Sequence, residues 1–202
     1  MKALIVVDLQ NDFIPGGSLP VPAGDEIIPL VNRLQGKFLL GVATQDWHPA
    51  NHLSFASNHP GKKPFEVVML GGLEQVLWPD HCIQGERGAM FAPGFDEQRV
   101  EAIFRKGTNP EIDSYSGFFD NGHKKSTGLG DYLRGRGVKQ VYVCGLAAEY
   151  CVFYTALDAI QLGFETYYIE DATKALSQEG LLKAKKEIRE RGGKIIQSAL
   201  IF

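Results

Sequence analysis

Six segments of the chain are apolar at most positions: KALIVVD (2–8), KFLLGVATQD (37–46), VEAIFRKG (100–107), QVYVCG (140–145), ETYYIED (165–171) and GKIIQSAL (193–200). Most are near-continuous runs rich in Val and Ile, which predicts strands covered on both faces. Between them, apolar residues recur at helical spacing over 25–35, 126–136, 149–162 and 177–191. The last of these opens on SQEG and closes at Gly192–Gly193, an N-cap and C-cap pair. Alternating strand and helix predicts an α/β fold, a parallel sheet wrapped by helices.

One stretch breaks the pattern. From about residue 46 to 93 the chain is rich in Pro, Gly and His and has little clean periodicity. A loop region of that length inside a compact domain is usually functional. No repeat, low-complexity tract or second core is visible. The expectation is one domain over 1–202 with this segment as a loop-rich insertion.

Composition changes the picture little. The 202 residues are 44% hydrophobic and 22% charged, as in ordinary globular chains. A net charge of −3 argues against a nucleic-acid partner or an anionic membrane. The opening MKALIVVD is too short for a signal-peptide core, and no later run is long enough to span a bilayer. Three cysteines (Cys82, Cys144 and Cys151) are too few for a disulfide framework, so a reducing, cytoplasmic setting is expected.

In open parallel sheets, ligands gather beyond the carboxyl ends of the strands. Asp8 follows the first predicted strand, Asp46 and His48 the second, Lys106 the third, and Cys151 the strand QVYVCG. Acid, amine and thiol thus arrive at one edge. Cys151 falls in the first turn of a helix, where the dipole and free N–H groups favour an anion and lower a thiol's pKa. That suits a nucleophile; a small buried hydrophobe is the ordinary alternative, and the one expected of Cys82 and Cys144. Asp8 could act as base and Lys106 could hold both groups ionised.

Asp46 and His48 stand two apart in an extended segment, so their side chains share a side, and Pro49 keeps His48 out of the helical region. A carboxylate and an imidazole presented together suit a metal, with His52 and His81 as candidates to complete the set. Such ligands fit Zn²⁺, Fe²⁺ or Mn²⁺.

VDLQNDF (7–13), TQDWHPANHLSF (44–55), LWPDHCIQG (77–85), RKGTNPEIDSYSGFFDN (105–121) and GLAAEYCV (145–152) together resemble the nicotinamidases of the isochorismatase-like cysteine hydrolases, in the same order and across nearly the whole chain. The resemblance implies a three-layer, Rossmann-like arrangement with six parallel strands. It implies hydrolysis of nicotinamide to nicotinate and ammonia in NAD salvage, with a catalytic triad of Asp8, Lys106 and Cys151. It also implies one divalent metal, zinc foremost, on Asp46, His48 and His81, with His52 ranked below them. By resemblance the ion binds the pyridine nitrogen, and a cis peptide between Leu146 and Ala147 turns the Ala147 and Cys151 amides toward one oxygen as an oxyanion hole. Phe13, Leu19, Val21, Trp78 and Tyr150 are the expected walls around the ring. The expected partner is the small-molecule substrate, and a homo-oligomer is compatible with all of this.

Two departures stand out. GLATDYCV is expected where this chain has Ala148 and Glu149, and a Tyr-Gly pair where it has LGGLE. Three other readings stay open. One is a related amidohydrolase acting on another small amide, against which the paired Asp46 and His48 argue. The second is a hydrolase in which the metal activates water. The third is a non-enzymatic metal or redox sensor.

Overall fold

The computed structural model describes all residues, 1–202. Strand β1 (Lys2–Val7) is buried from Ala3 onward, and β2 (Gly41–Asp46) is buried throughout. Both lie in the middle of a six-stranded sheet, so neither face meets water. The hairpin strands β3 (Val67–Leu70) and β4 (Leu73–Val76) pair antiparallel, apart from that sheet. Strand β5 (Ala102–Lys106) alternates in burial before its last residue, as an edge strand does. The sheet is completed by β6 (Gln140–Gly145), β7 (Glu165–Thr173) and β8 (Lys194–Ile196), in the order β5-β2-β1-β6-β7-β8. Every pairing within it is parallel.

Alternate residues of β1 feed two cores. Leu4 and Val6 pack with Val31 and Leu34 of helix α1 (Ile28–Gln35) and with apolar residues of the long loop region, including Trp78 and Phe91. Ala3, Ile5 and Val7 pack with α2 (Leu129–Gly135), α3 (Cys151–Gln161) and α4 (Gln178–Glu190). This gives three layers, as the resemblance implied. Each fully buried Val, Leu or Ile in these cores contributes ~1.5–3 kcal/mol relative to exposure.

Element boundaries differ from the sequence reading for local reasons. β2 begins at Gly41 rather than Lys37, because Leu39 turns outward, 92% exposed. The segment Gly24–Ile27 forms a 3-10 turn before α1. Gly128, with φ of 90°, delays α2 to Leu129. The β3–β4 hairpin was not expected. It turns at Gly71 and Gly72, whose φ values of 58° and 86° suit a two-residue I′-type turn. At the other terminus, the Ser177 hydroxyl accepts from Gly180 N and caps α4 as predicted. No helix is long and apolar enough to cross a membrane.

Candidate active site

Strand order reverses between β1 and β6, and the candidate residues collect at the carboxyl ends beside that switch point. Asp46 ends β2 and Lys106 ends β5, and the sheet pairs these two positions. Asp8 follows β1 and takes a left-handed φ of 46°, which Asp tolerates better than most residues. Gly145 ends β6 with φ of 118°; a side chain there would strike the Val7 backbone, so glycine lets the strands approach at the switch point.

The Lys106 ammonium is the centre of the cluster. It donates to Asp46 Oδ1 at 2.7 Å, to the Ser114 carbonyl at 2.8 Å and to Cys151 Sγ at 3.4 Å, and it pairs with Asp8 Oδ2 at 2.8 Å. Its side chain is wholly buried, as is that of Asp8. Burial works against the ammonium, but Asp46 and Asp8 override it and hold the Lys106 pKa well above its usual value. Burial raises Asp8, outweighing the attraction of Lys106, with Asp46 adding repulsion. Burial would raise Asp46 as well, but Lys106 and then His48 hold its carboxyl well below the usual range.

Cys151 opens α3 as expected, but its thiol is not the acid that the helix terminus predicted. Burial pushes it well above the ordinary value, against the pull of Lys106, and Asp8 and Asp46 push the same way. The dipole of one helix end does not offset the loss of water around a buried anion. A base stands beside this sulfur: Cys151 Sγ and oxygens of Asp8 and Asp46 lie within 4.8 Å of one another.

A second cluster shares Asp46. Its Oδ2 lies 3.5 Å from His48 Nε2 and 3.8 Å from His81 Nε2. The other ring nitrogens donate to carbonyls, His48 Nδ1 to Gly107 at 2.9 Å and His81 Nδ1 to Pro79 at 2.7 Å. In the neutral rings, both Nε2 lone pairs then face a carboxylate oxygen, three acceptors with no donor between them. A cation satisfies such a set, and one carboxylate with two imidazoles suits a borderline divalent ion. His52 stands apart from these three. It groups with His48 and Asp113; its Nδ1 lies 2.7 Å from Ser54 Oγ and 3.1 Å from Ser54 N, and its Nε2 is buried without a protein partner.

Between the clusters opens a pocket of about 380 Å³, its mouth included. Phe13, Leu19, Val21, Trp78 and Tyr150, the five predicted walls, all line it, and Asp46, His81 and Cys151 reach it. Ala147 lines it too, and the Leu146–Ala147 peptide is cis as expected. The Ala147 and Cys151 amides donate to no protein acceptor.

Several residues around the site went unnoticed in the sequence. Asp113, Tyr115 and Leu176 also line the pocket, and the Tyr115 hydroxyl accepts from Trp78 Nε1 at 3.2 Å. The Thr44 hydroxyl donates to Asp8 Oδ1 at 2.6 Å and accepts from Asp8 N. The Gln10 amide clamps the Asp46 backbone at both N–H and C=O, each at 2.8 Å. Polar residues in runs otherwise buried on both faces were the available signal, since such groups must find partners.

The family model for the Isochorismatase domain matches residues 2–199. The nicotinamidase of Acinetobacter baylyi is 48% identical over 201 residues, 99% of this chain and 94% of that protein. Among solved structures, an Acinetobacter baumannii nicotinamidase/pyrazinamidase superposes with a TM-score of 0.97 at 50% identity, covering 100% of this chain and 98% of that one. A Pyrococcus horikoshii pyrazinamidase in complex with zinc gives 0.80 at 46% identity, covering 97% and 98%. Matched over nearly its whole length by that domain and by a curated nicotinamidase, the chain belongs to the isochorismatase family.

Proposed function

We propose that this protein hydrolyses nicotinamide to nicotinate and ammonia, a step of NAD salvage, through a thioester on Cys151. The observation that carries the reading is the single buried ammonium of Lys106 joining Asp8, Asp46 and Cys151, the last two of which line an aromatic pocket. The relatives named above support the substrate. The three cysteines are free, which supports a reducing, cytoplasmic setting.

Asp8 takes the Cys151 proton as the sulfur attacks the carboxamide carbon. The raised pKa of Asp8 makes it a stronger base than an ordinary carboxylate. Lys106 stays protonated and offsets the charge passing between them. The developing oxyanion accepts from the unused amides of Ala147 and Cys151, contacts of a type worth ~3 kcal/mol each. Asp8 then returns its proton to the departing nitrogen, the C–N bond breaks, and ammonia leaves. Asp8 next deprotonates a water that attacks the thioester; the C–S bond breaks and the thiolate recovers the proton. Asp46, His48 and His81 are the residues we assign to a divalent ion, zinc by the likeness above. When bound, it supplies a Lewis-acid anchor for a pyridine nitrogen, a positioning role. Phe13, Leu19, Val21, Trp78 and Tyr150 enclose the flat ring.

The test is ammonia release from nicotinamide by the purified protein, compared with Cys151→Ala. The variant is expected to lose turnover and keep metal and ligand. No ammonia from the wild type would refute the substrate, and appreciable turnover by the variant would refute the thioester.

A further inference from the structure

Glu149 replaces the Asp expected two residues before Cys151. It is only 9% exposed, yet it does not line the pocket. Its carboxylate reaches sideways: Oε1 accepts from Ser177 N at 2.6 Å and Oε2 from Leu176 N at 3.2 Å. Those amides belong to the strap 174–177 between β7 and α4. The same strap accepts from the Ala148 amide through Lys174 O at 2.8 Å. The turn that presents the nucleophile is therefore stitched to the strap at three points. Leu176, the middle of the strap, lines the pocket beside Phe13, Trp78 and Tyr150.

The site for this carboxylate is built. It sits at the N-terminus of the 13-residue α4, where the dipole favours negative charge. Gly180, in the first turn of α4, makes room for it: a Cβ there would come 2.9 Å from Glu149 Cγ and 2.8 Å from Ser177 Oγ. Glycine is a poor helix former, so its place here is explained by the longer acid opposite. Beyond these, the strap is held at its end by the Ser177 cap of α4, hydroxyl to Gly180 N and carbonyl to Leu181 N, and by a weak surface pair, Lys174 to Glu26 at 2.7 Å.

We infer that Glu149 is a positioning residue, which sets how closely the Leu176 wall holds the ring while Cys151 is presented to it. This rests on the proposed nicotinamide hydrolysis. Glu149 touches neither the pocket nor the reacting atoms, so its loss loosens the ring in the ground and transition states alike. KM rises and kcat does not fall with it.

Four changes test this: Glu149→Gln, Leu176→Ala, Gly180→Ala, and Glu149→Asp alone and with Gly180→Ala. Gln keeps the shape but turns an NH₂ toward one of the two donors. The expected result is a KM for nicotinamide raised about tenfold, the change 1.4 kcal/mol produces, with kcat held within about threefold. Metal content and the rate of Cys151 alkylation stay at wild-type values. Leu176→Ala gives the same rise while leaving Glu149 intact, and it carries the test if Glu149→Gln fails to fold. Gly180→Ala raises KM, and Glu149→Asp in that background reverses part of the rise, because the shorter acid clears the contact at Glu149 Cγ but not the one at Ser177 Oγ; the two changes are non-additive. An unchanged KM in Leu176→Ala, a fall in kcat without a rise in KM, or strict additivity of the Gly180 and Glu149 changes would each overturn the inference. Wild-type protein that releases no ammonia would overturn the proposed function and this inference together. Wild-type turnover with any of the three preceding results overturns this inference alone.

Discussion

Replacing Lys106 with Met keeps most of the side chain's volume and removes its charge. In the wild-type protein this one ammonium lies 2.8 Å from Asp8 and 2.7 Å from Asp46, with no solvent access to its own side chain. Without it, two buried carboxylates lose their cation and the Ser114 carbonyl loses its donor. Removing one partner of a buried pair costs ~3–5 kcal/mol. That is a large part of the ~5–15 kcal/mol that keeps a domain folded. At ~2–4 °C per kcal/mol for a chain of this size, the melting temperature should fall by roughly 6–20 °C. The pH dependence carries a sign. Burial and the repulsion of Asp46 are then left to raise Asp8, while His48 still draws Asp46 down less strongly than Lys106 and His48 did together, so the folded state holds the Asp8 proton more tightly than the unfolded state. Such a group costs nothing below the unfolded carboxylate pKa and destabilises increasingly as pH rises through the folded value. The deficit between variant and wild type should therefore be larger at pH 8 than at pH 5. Calorimetry of chelator-treated protein, where no ion can replace the ammonium, measures it. A variant melting within about 2 °C of wild type at pH 8, or a deficit that grows on acidification, would refute the account of Lys106 as the neutralising centre.

Two further outcomes check the neighbouring groups. Gly107→Ala brings a methyl group into collision with the Nδ1–Cε1 edge of the His48 ring at a backbone φ of +65°, so His48 must leave its carbonyl partner; metal affinity, read by competition with a chromophoric chelator, should fall about 10–100-fold. An unchanged affinity would remove His48 from the ligand set. Iodoacetamide should modify Cys151, which reaches the pocket, and spare Cys82 and Cys144, which are fully enclosed. Nicotinamide should slow the reaction, and peptide mapping that finds Cys144 modified first would contradict the assignment.

The sheet was legible because β1 is apolar from Ala3 to Val7 and most of the other runs are nearly so, a pattern that burial on both faces favours. The edges were less so. Leu39 is apolar but turns into solvent, and nothing local says that β2 begins two residues later. The β3–β4 hairpin did have a signal. Gly71-Gly72 between apolar residues is a two-residue hairpin loop, but the strands on either side are only four residues long and lie inside an irregular stretch. The acidity of Cys151 failed for a different reason. A helix terminus is visible in the sequence; the degree of burial of the sulfur is set by β1, β2 and β5, which lie far away along the chain.

The site itself was half legible, and the division follows sequence distance. Parallel strands send all their carboxyl ends to one edge, so Asp8, Asp46, Lys106 and Cys151 could be grouped before any distance was known. The residues that aim them could not, because Gln10 and Thr44 act on partners 36 positions away. Yet β2 reads GVATQD, and its last three polar residues are at most 4% exposed. A strand covered on both faces cannot hold Thr44, Gln45 and Asp46 unless each finds a partner, and an unpaired polar group there costs ~1–3 kcal/mol. Thr44 meets Asp8, Gln45 donates to Ala89 O and accepts from Arg105, and Asp46 meets Lys106. Polar residues ending a doubly covered strand therefore implied a buried polar network at that end, and at the carboxyl edge of a parallel sheet such a network lies where ligands bind.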